Sequence, residues 1–153
     1  MAVLTTLGVP DNSGNTTTIM PKLQYRFRVT FEGEGFSATP TRNVISTSRP
    51  GLTHEQIPVD AYNSRIYLAG KHTWEPVSIV LRDDIDGVTL RELNNQLNRQ
   101  VDHANQSSVR AGAGYKFSTS IETLDGANPT PGVLDKFELS GCYITNIQYG
   151  DMA

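Results

Sequence analysis

Residues 52–84 read LTHEQIPVDAYNSRIYLAGKHTWEPVSIVLRDD, and whether the chain is a reactive site or a structural wall turns on this stretch. It holds two of the three histidines (His54 and His72), the single tryptophan (Trp74) and a closing pair of aspartates. Its β-branched and aromatic runs, NSRIYLAG (63–70) and HTWEPVSIVLR (72–82), flank Gly70-Lys71. A Gly-X pair supplies the positive φ of a tight hairpin turn, so the spacing predicts two strands joined at that point. Val77, Ile79, Val80 and Leu81 form a near-continuous apolar run, which predicts a strand well inside a sheet. Pro76 lacks a donor and predicts that pairing is interrupted just before that run.

Working outward, LQYRFRVTF (23–31) alternates Leu23, Tyr25, Phe27, Val29 and Phe31 with Gln24, Arg26, Arg28 and Thr30. That period of two predicts a strand with one buried face. EGEG (32–35) supplies a turn, and FSATPTRNVISTSRPG (36–51) predicts a less regular strand and loop. On the other side the period changes. Leu90, Leu93, Leu97, Val101 and Ala104 recur at steps of three and four, which predicts one amphipathic helix over about 88–104. Thr89 and Glu92 have capping-box spacing, and Asp83, Asp84 and Asp86 stand where the positive end of the helix dipole favours anions. Beyond a loop at 106–114, YKFSTSIETL (115–124) alternates again, and DGANPTPG (125–132) is a long turn. FELSGCYITNIQY (137–149) reads as a strand pair or one strand bent at Gly141. Residues 1–20, rich in Thr, Asn and Gly and poor in charge, read as an extended arm before a β domain spanning 21–153. The expected class is mainly β, a sandwich or barrel with one flanking helix.

Bulk properties narrow the function. A chain of 153 residues forms one domain that buries roughly 70% of its unfolded surface. Thirteen Lys and Arg stand against sixteen Asp and Glu, a net charge of −3, which is no electrostatic footprint for tight nucleic-acid binding. The N-terminal twenty residues lack the charged flank and apolar run of a signal peptide, and no window approaches the roughly 20 apolar residues of a membrane span. An intracellular product without membrane insertion is the expectation.

The chemical candidates fall one by one. His54-Glu55 opens like a zinc-protease motif, but its second ligand position is Pro58. His72 beside a turn is more simply a solvated histidine than a catalyst, and spacing identifies no partner carboxylate. DDIDG (83–87) begins like a calcium loop, yet Asn94 or Asn95 stands where the closing acid belongs. Cys142 sits in a strand pattern as a small hydrophobe and, as the lone cysteine, excludes an internal disulfide and a cysteine-cluster metal site. AGAG (111–114) lacks the Lys-Ser/Thr of a phosphate loop. Asn15-Thr16-Thr17 and Asn105-Gln106-Ser107 match a glycosylation pattern that means little without a secretory signal. No cofactor, metal or catalytic residue is expected.

The run IPVDAYNSRIYLAGKHTWEPVSIVLRDD (57–84) resembles the tail tube proteins of contractile-tailed bacteriophages. The resemblance is carried by Ile57-Pro58-Val59, Asn63, Arg65, Ala69-Gly70, Thr73-Trp74 and Arg82-Asp83-Asp84, with MPKLQYRFRVTF (20–31) similar to that family's first strand. The helix and FELSGCYITNIQYGD (137–151) are similar to its helix and late strand-Gly-aromatic-Thr-Asn segment. It spans roughly residues 20–150 and departs at the end: the family pattern continues into another long alternating strand, where this sequence ends in QYGDMA. The resemblance implies hexameric rings whose sheets join into one inner β-barrel, stacked into a hollow tube in the virion after assembly in the host cytoplasm. It implies a sheath around the tube, baseplate and tail terminator proteins at its ends, and DNA passing without specific binding.

Two expectations about residues follow. Arg26 and Arg28, on one strand face, are candidates to meet Asp83, Asp84 or Asp86 across a subunit boundary, against the plainer reading of a solvated face. Ser118, Ser120, Glu122 and Glu138 are candidates to line a polar, neutral-to-negative bore, because each phosphate neutralised by Lys or Arg adds affinity and slows DNA. The alternatives are the inner tube or baseplate tube-initiator of a related contractile injection or secretion machine and, from another class, a free-standing β-sandwich binding module for carbohydrate or peptide. Aromatics exposed on one face would favour the latter.

Overall fold

The computed structural model describes residues 22–37, 39–109, 114–126 and 130–150. The predicted arm at 1–20 and most of AGAG lie outside these residues. The described chain is mainly β, in the order β1 (Phe27–Glu32), α1 (Thr39–Arg42), β2 (Val44–Thr47), β3 (Leu52–Ala61), β4 (Ser64–Trp74), β5 (Ile79–Leu81), α2 (Val88–Gln100), β6 (Val101–Asp102), β7 (Ser107–Ser108), β8 (Phe117–Leu124) and β9 (Val133–Cys142). All pairings are antiparallel and fall into four small sheets: β1-β8-β9, β2-β5, β3-β4 and β6-β7.

The three-stranded sheet carries the core. Phe27, Val29 and Phe31 face Thr123, Ile121 and Thr119 across β1-β8, and Ile121 faces Phe137 across β8-β9. In this sheet, among the described residues, the buried apolar side chains are Val29 (0% exposed) and Ile121 (4%). Phe36 stacks on Phe31 at 5.5 Å and tilts against Phe117 at 5.1 Å, closing one end of that face. The strand begins later than the alternation implies. Arg26 N bonds Leu23 O in a turn, so Leu23 and Tyr25 are exposed rather than inward. Alternation cannot distinguish the last turn before a strand from the strand itself.

The helix is shorter than expected and begins differently. It starts after Gly87, in the left-handed region, with no side-chain cap. Thr89 is not the cap; it is buried and accepts a 2.8 Å bond from Asn43 Nδ2, while Glu92 Oε2 accepts from Ser37 N. The helix ends at Gln100 because Asp102 Oδ1 gathers the amides of Ala104 and Asn105 in a competing turn. Val101 and Ala104 therefore leave the helical stripe. Gln100 clasps Ile144 by both amide and carbonyl (2.9 and 2.8 Å), and Tyr149 Oη donates to Asn94 Oδ1 at 2.8 Å. Residues 143–150 thus lie along α2 and not in a sheet, beyond a bend at Gly141 (φ 70°). A second, short helix, α1, stands where the sequence predicts irregular strand and loop; it packs against β1 and α2 and buries Pro40.

The opening stretch is indeed a hairpin, with its turn elsewhere. The pairs Ala61–Ser64, Asp60–Arg65 and Val59–Ile66 place the loop at Tyr62-Asn63, with Tyr62 at φ 52°. Gly70 and Lys71 sit within β4 as a bulge opposite Glu55. Space favours glycine there: a Cβ would stand 3.0 Å from Glu55 O and 3.1 Å from Ile57 Cγ1, closer than ordinary contact. β5 is also not the interior strand predicted. It has three residues, pairs with β2 alone and leaves Val80 exposed. The break in pairing at Pro76 does occur, since residues 75–78 belong to no strand.

Candidate functional site

Two surfaces stand out, an uncovered hairpin and a charged sheet face. Every residue of β3 and β4 except Ala61 and Gly70 is exposed. Register sorts their side chains onto two faces. One carries Thr53, Ile57, Val59 and Ala61 opposite Thr73, Leu68, Ile66 and Ser64; the other carries Leu52, His54, Pro58 and Asp60 opposite Trp74, His72, Tyr67 and Arg65. On the first, Ile57, Val59, Ile66 and Leu68 form an aliphatic block of two cross-strand pairs, each side chain 43–55% exposed. The second is aromatic at its base and is braced near the tip by Arg65 Nε to Asp60 Oδ1 at 2.6 Å. Apolar side chains on both faces of this two-stranded ribbon are only about half covered in the isolated chain, and such a ribbon is marginal alone in water.

The second surface is the face of β1-β8-β9 opposite the core. Cross-strand register sets Arg28, Glu122 and Lys136 in one row and Thr30, Ser120 and Glu138 in the next. Arg28 donates from Nε (2.8 Å) and Nη2 (2.6 Å) to one oxygen of Glu122. Lys136 Nζ lies 2.6 Å from Glu138 and 3.9 Å from the other Glu122 oxygen. The ladder allows Glu122 to be buried on a central strand, because cations flank it on both sides. A hydrogen bond and the adjacent charge of Lys136 hold the Glu138 carboxyl below its ordinary value, and the same contact raises Lys136. A depressed carboxyl contributes stability above its unfolded pKa and loses it as pH falls through the folded pKa. Replacing Lys136 with Met should therefore move the Glu138 midpoint up toward 4.5, read by side-chain carboxyl NMR. An unmoved midpoint would show that the pair does not form in solution.

The sequence-level candidates divide accordingly. Ser118, Ser120, Glu122 and Glu138 do come together on this polar face. This face carries the carboxylates Glu32, Glu122 and Glu138 and the cations Arg28 and Lys136, a balance close to neutral, while Asp135 of β9 is in register with Thr123 on the opposite face. Arg28 is paired within the chain to Glu122, and Arg26 Nη1 donates to Asp125 O at 2.8 Å. Asp83, Asp84 and Asp86 lie in the loop before α2, where Asp83 and Asp84 accept bonds from the amides that follow them. Within one chain the arginines and these aspartates do not meet.

Nothing here assembles reactive chemistry. Among the described residues no three His, Cys, Asp or Glu side chains cluster as metal ligands, and no helix is long and apolar enough to cross a membrane. A cleft of about 180 Å³ lined by Glu34, Gln96, Arg99, Gly114, Lys116 and Phe117 is smaller than ordinary ligand pockets of roughly 300 Å³ and above, and Arg99 is bound there to Glu34. No protein-family model matches the sequence, and no curated protein resembles it at a significant level.

Proposed function

We propose that this chain is a structural subunit that completes its fold by assembling with copies of itself. The observation that carries this reading is the β3-β4 hairpin, with exposed apolar residues on both faces and no cover on either among the described residues. The outer edges of β1 and β9 support it, since neither has a partner strand among the described residues and open edges invite pairing with another chain. Among the described residues the buried apolar side chains are Val29, Ile121 and Pro40, a core small for a domain meant to stand by itself.

Within that class the reading favoured by the sequence resemblance is the tail tube of a contractile-tailed phage, in rings stacked into a conduit for DNA. Its partners are then further copies, the sheath, the baseplate and the terminator, and its place is the virion. The near-neutral face holding Ser118, Ser120, Glu122 and Glu138 is the wall proposed to look into the bore, where balanced charge leaves few phosphate contacts. The inner tube of a related injection machine, or its initiating ring, shares the same physics. Light scattering of the concentrated chain tests the class: particles of several subunits are expected, and a 16.8 kDa species at every concentration would defeat it.

One observation favours a second reading. Tyr67 and Trp74 are exposed on the same hairpin face, as a free-standing carbohydrate- or peptide-binding module would present them. A monomer that binds a glycan or peptide through Trp74, and loses it on Trp74→Ala, would establish that alternative.

A further inference from the structure

We infer that His54 and His72 form a two-imidazole chelate for a divalent transition-metal ion at the base of the hairpin. The two residues are directly opposite in the β3-β4 register, on one face, with ring centroids 6.1 Å apart and planes at 50°. Two nitrogens each about 2.0–2.1 Å from one ion place their ring centroids roughly 5–6 Å apart, so a small ring rotation closes the chelate. Both rings are exposed, and neither makes a hydrogen bond or ion pair to another described residue. Trp74 stands edge-on to His72 at 6.4 Å and walls one side. On the other side the next pair is Gln56–Ala69, where the small Ala69 leaves room.

The donor set defines the ligand class. Glu75 accepts from Thr53 Oγ1 at 2.9 Å, and Thr53 lies on the opposite face; among the described residues no third His, Cys, Asp or Glu groups with the pair as a metal ligand. An all-imidazole pair selects Cu²⁺, Ni²⁺ or Zn²⁺ over Ca²⁺ or Mg²⁺, with Cu²⁺ tightest. Water fills the remaining positions. The consequence is mechanical: the ion ties β3 to β4 beside the Gly70-Lys71 bulge, where the ladder is interrupted, and binding to the folded ribbon stabilises it by mass action. The site lies on the aromatic face of the hairpin, opposite the aliphatic block of Ile57, Val59, Ile66 and Leu68.

The test is calorimetric titration of CuCl₂ into the untagged full chain, with the electron paramagnetic resonance spectrum of the loaded protein. One Cu²⁺ per chain at micromolar affinity is expected, with a two-nitrogen signature. His54→Ala and His72→Ala should each weaken binding at least tenfold and leave one nitrogen, while His103→Ala binds within twofold of the parent. Far-ultraviolet circular dichroism checks that each variant keeps its strands, and His54→Gln replaces any that does not. Parental affinity in either single variant, equal loss in His103→Ala, or no binding at millimolar Cu²⁺ would overturn the inference.

Discussion

Changing Ile57, Val59, Ile66 and Leu68 together to Thr should abolish assembly while leaving the three-stranded sheet folded. Threonine keeps strand propensity, so the hairpin survives and only its adhesive face is lost. Each of these side chains is about half exposed in the single chain. Covering the remainder is worth about 1 kcal/mol apiece on the usual apolar-area scale. Four together amount to about 4 kcal/mol at each contact, or roughly a thousandfold in association. Sedimentation velocity across a concentration series reads the shift directly. A variant that assembles at the parental concentration would place the interface on some other surface.

The second large effect falls on the fold itself. Ile121 sits mid-sheet, opposite Val29 on one side and Phe137 on the other. Ile→Ala substitutions in cores cost about 2–5 kcal/mol, against a total stability of about 5–15 kcal/mol for an ordinary domain. With Val29 as the only other buried apolar side chain of this sheet among the described residues, little remains to compensate. Ile121→Ala should lower the urea midpoint sharply with little change in slope, and leave the monomer partly unfolded at 37 °C. A loss below about 1 kcal/mol would mean that the sheet is held chiefly by something other than this face.

These residues also show where the sequence was legible. Strict alternation in Phe27–Phe31 and Phe117–Thr123 found both the strands and their faces, because a period of two leaves one side to the core. The same alternation put Ser118, Ser120 and Glu122 on one face. It did not reveal Lys136 beside them, opposite Glu122 and bound to Glu138, since cross-strand rows depend on register. The hairpin shows how far one misplaced turn reaches. Gly70-Lys71 carries a turn's chemistry, yet serves as a bulge, while Tyr62 occupies a left-handed position normally left to Gly or Asn. With the loop at Tyr62-Asn63, paired residue numbers sum to 125 as far as Gln56–Ala69 and to 126 beyond the bulge. Only that register puts His54 opposite His72.

The helix gives the complementary lesson. Its apolar stripe located α2, but Thr89 and Gln96, both polar, are its buried residues. They are buried because each holds a neighbouring segment, Thr89 through Asn43 and Gln96 through the Tyr115 carbonyl. Such contacts leave no periodic trace, and neither does the clasp of Gln100 on Ile144.

Electron microscopy of the purified, untagged full chain tests the central claim most directly. The account predicts closed rings with an open central bore at high protein concentration, stacking into tubes as concentration rises. Monodisperse particles of single-chain size, or compact oligomers with no bore, would contradict it.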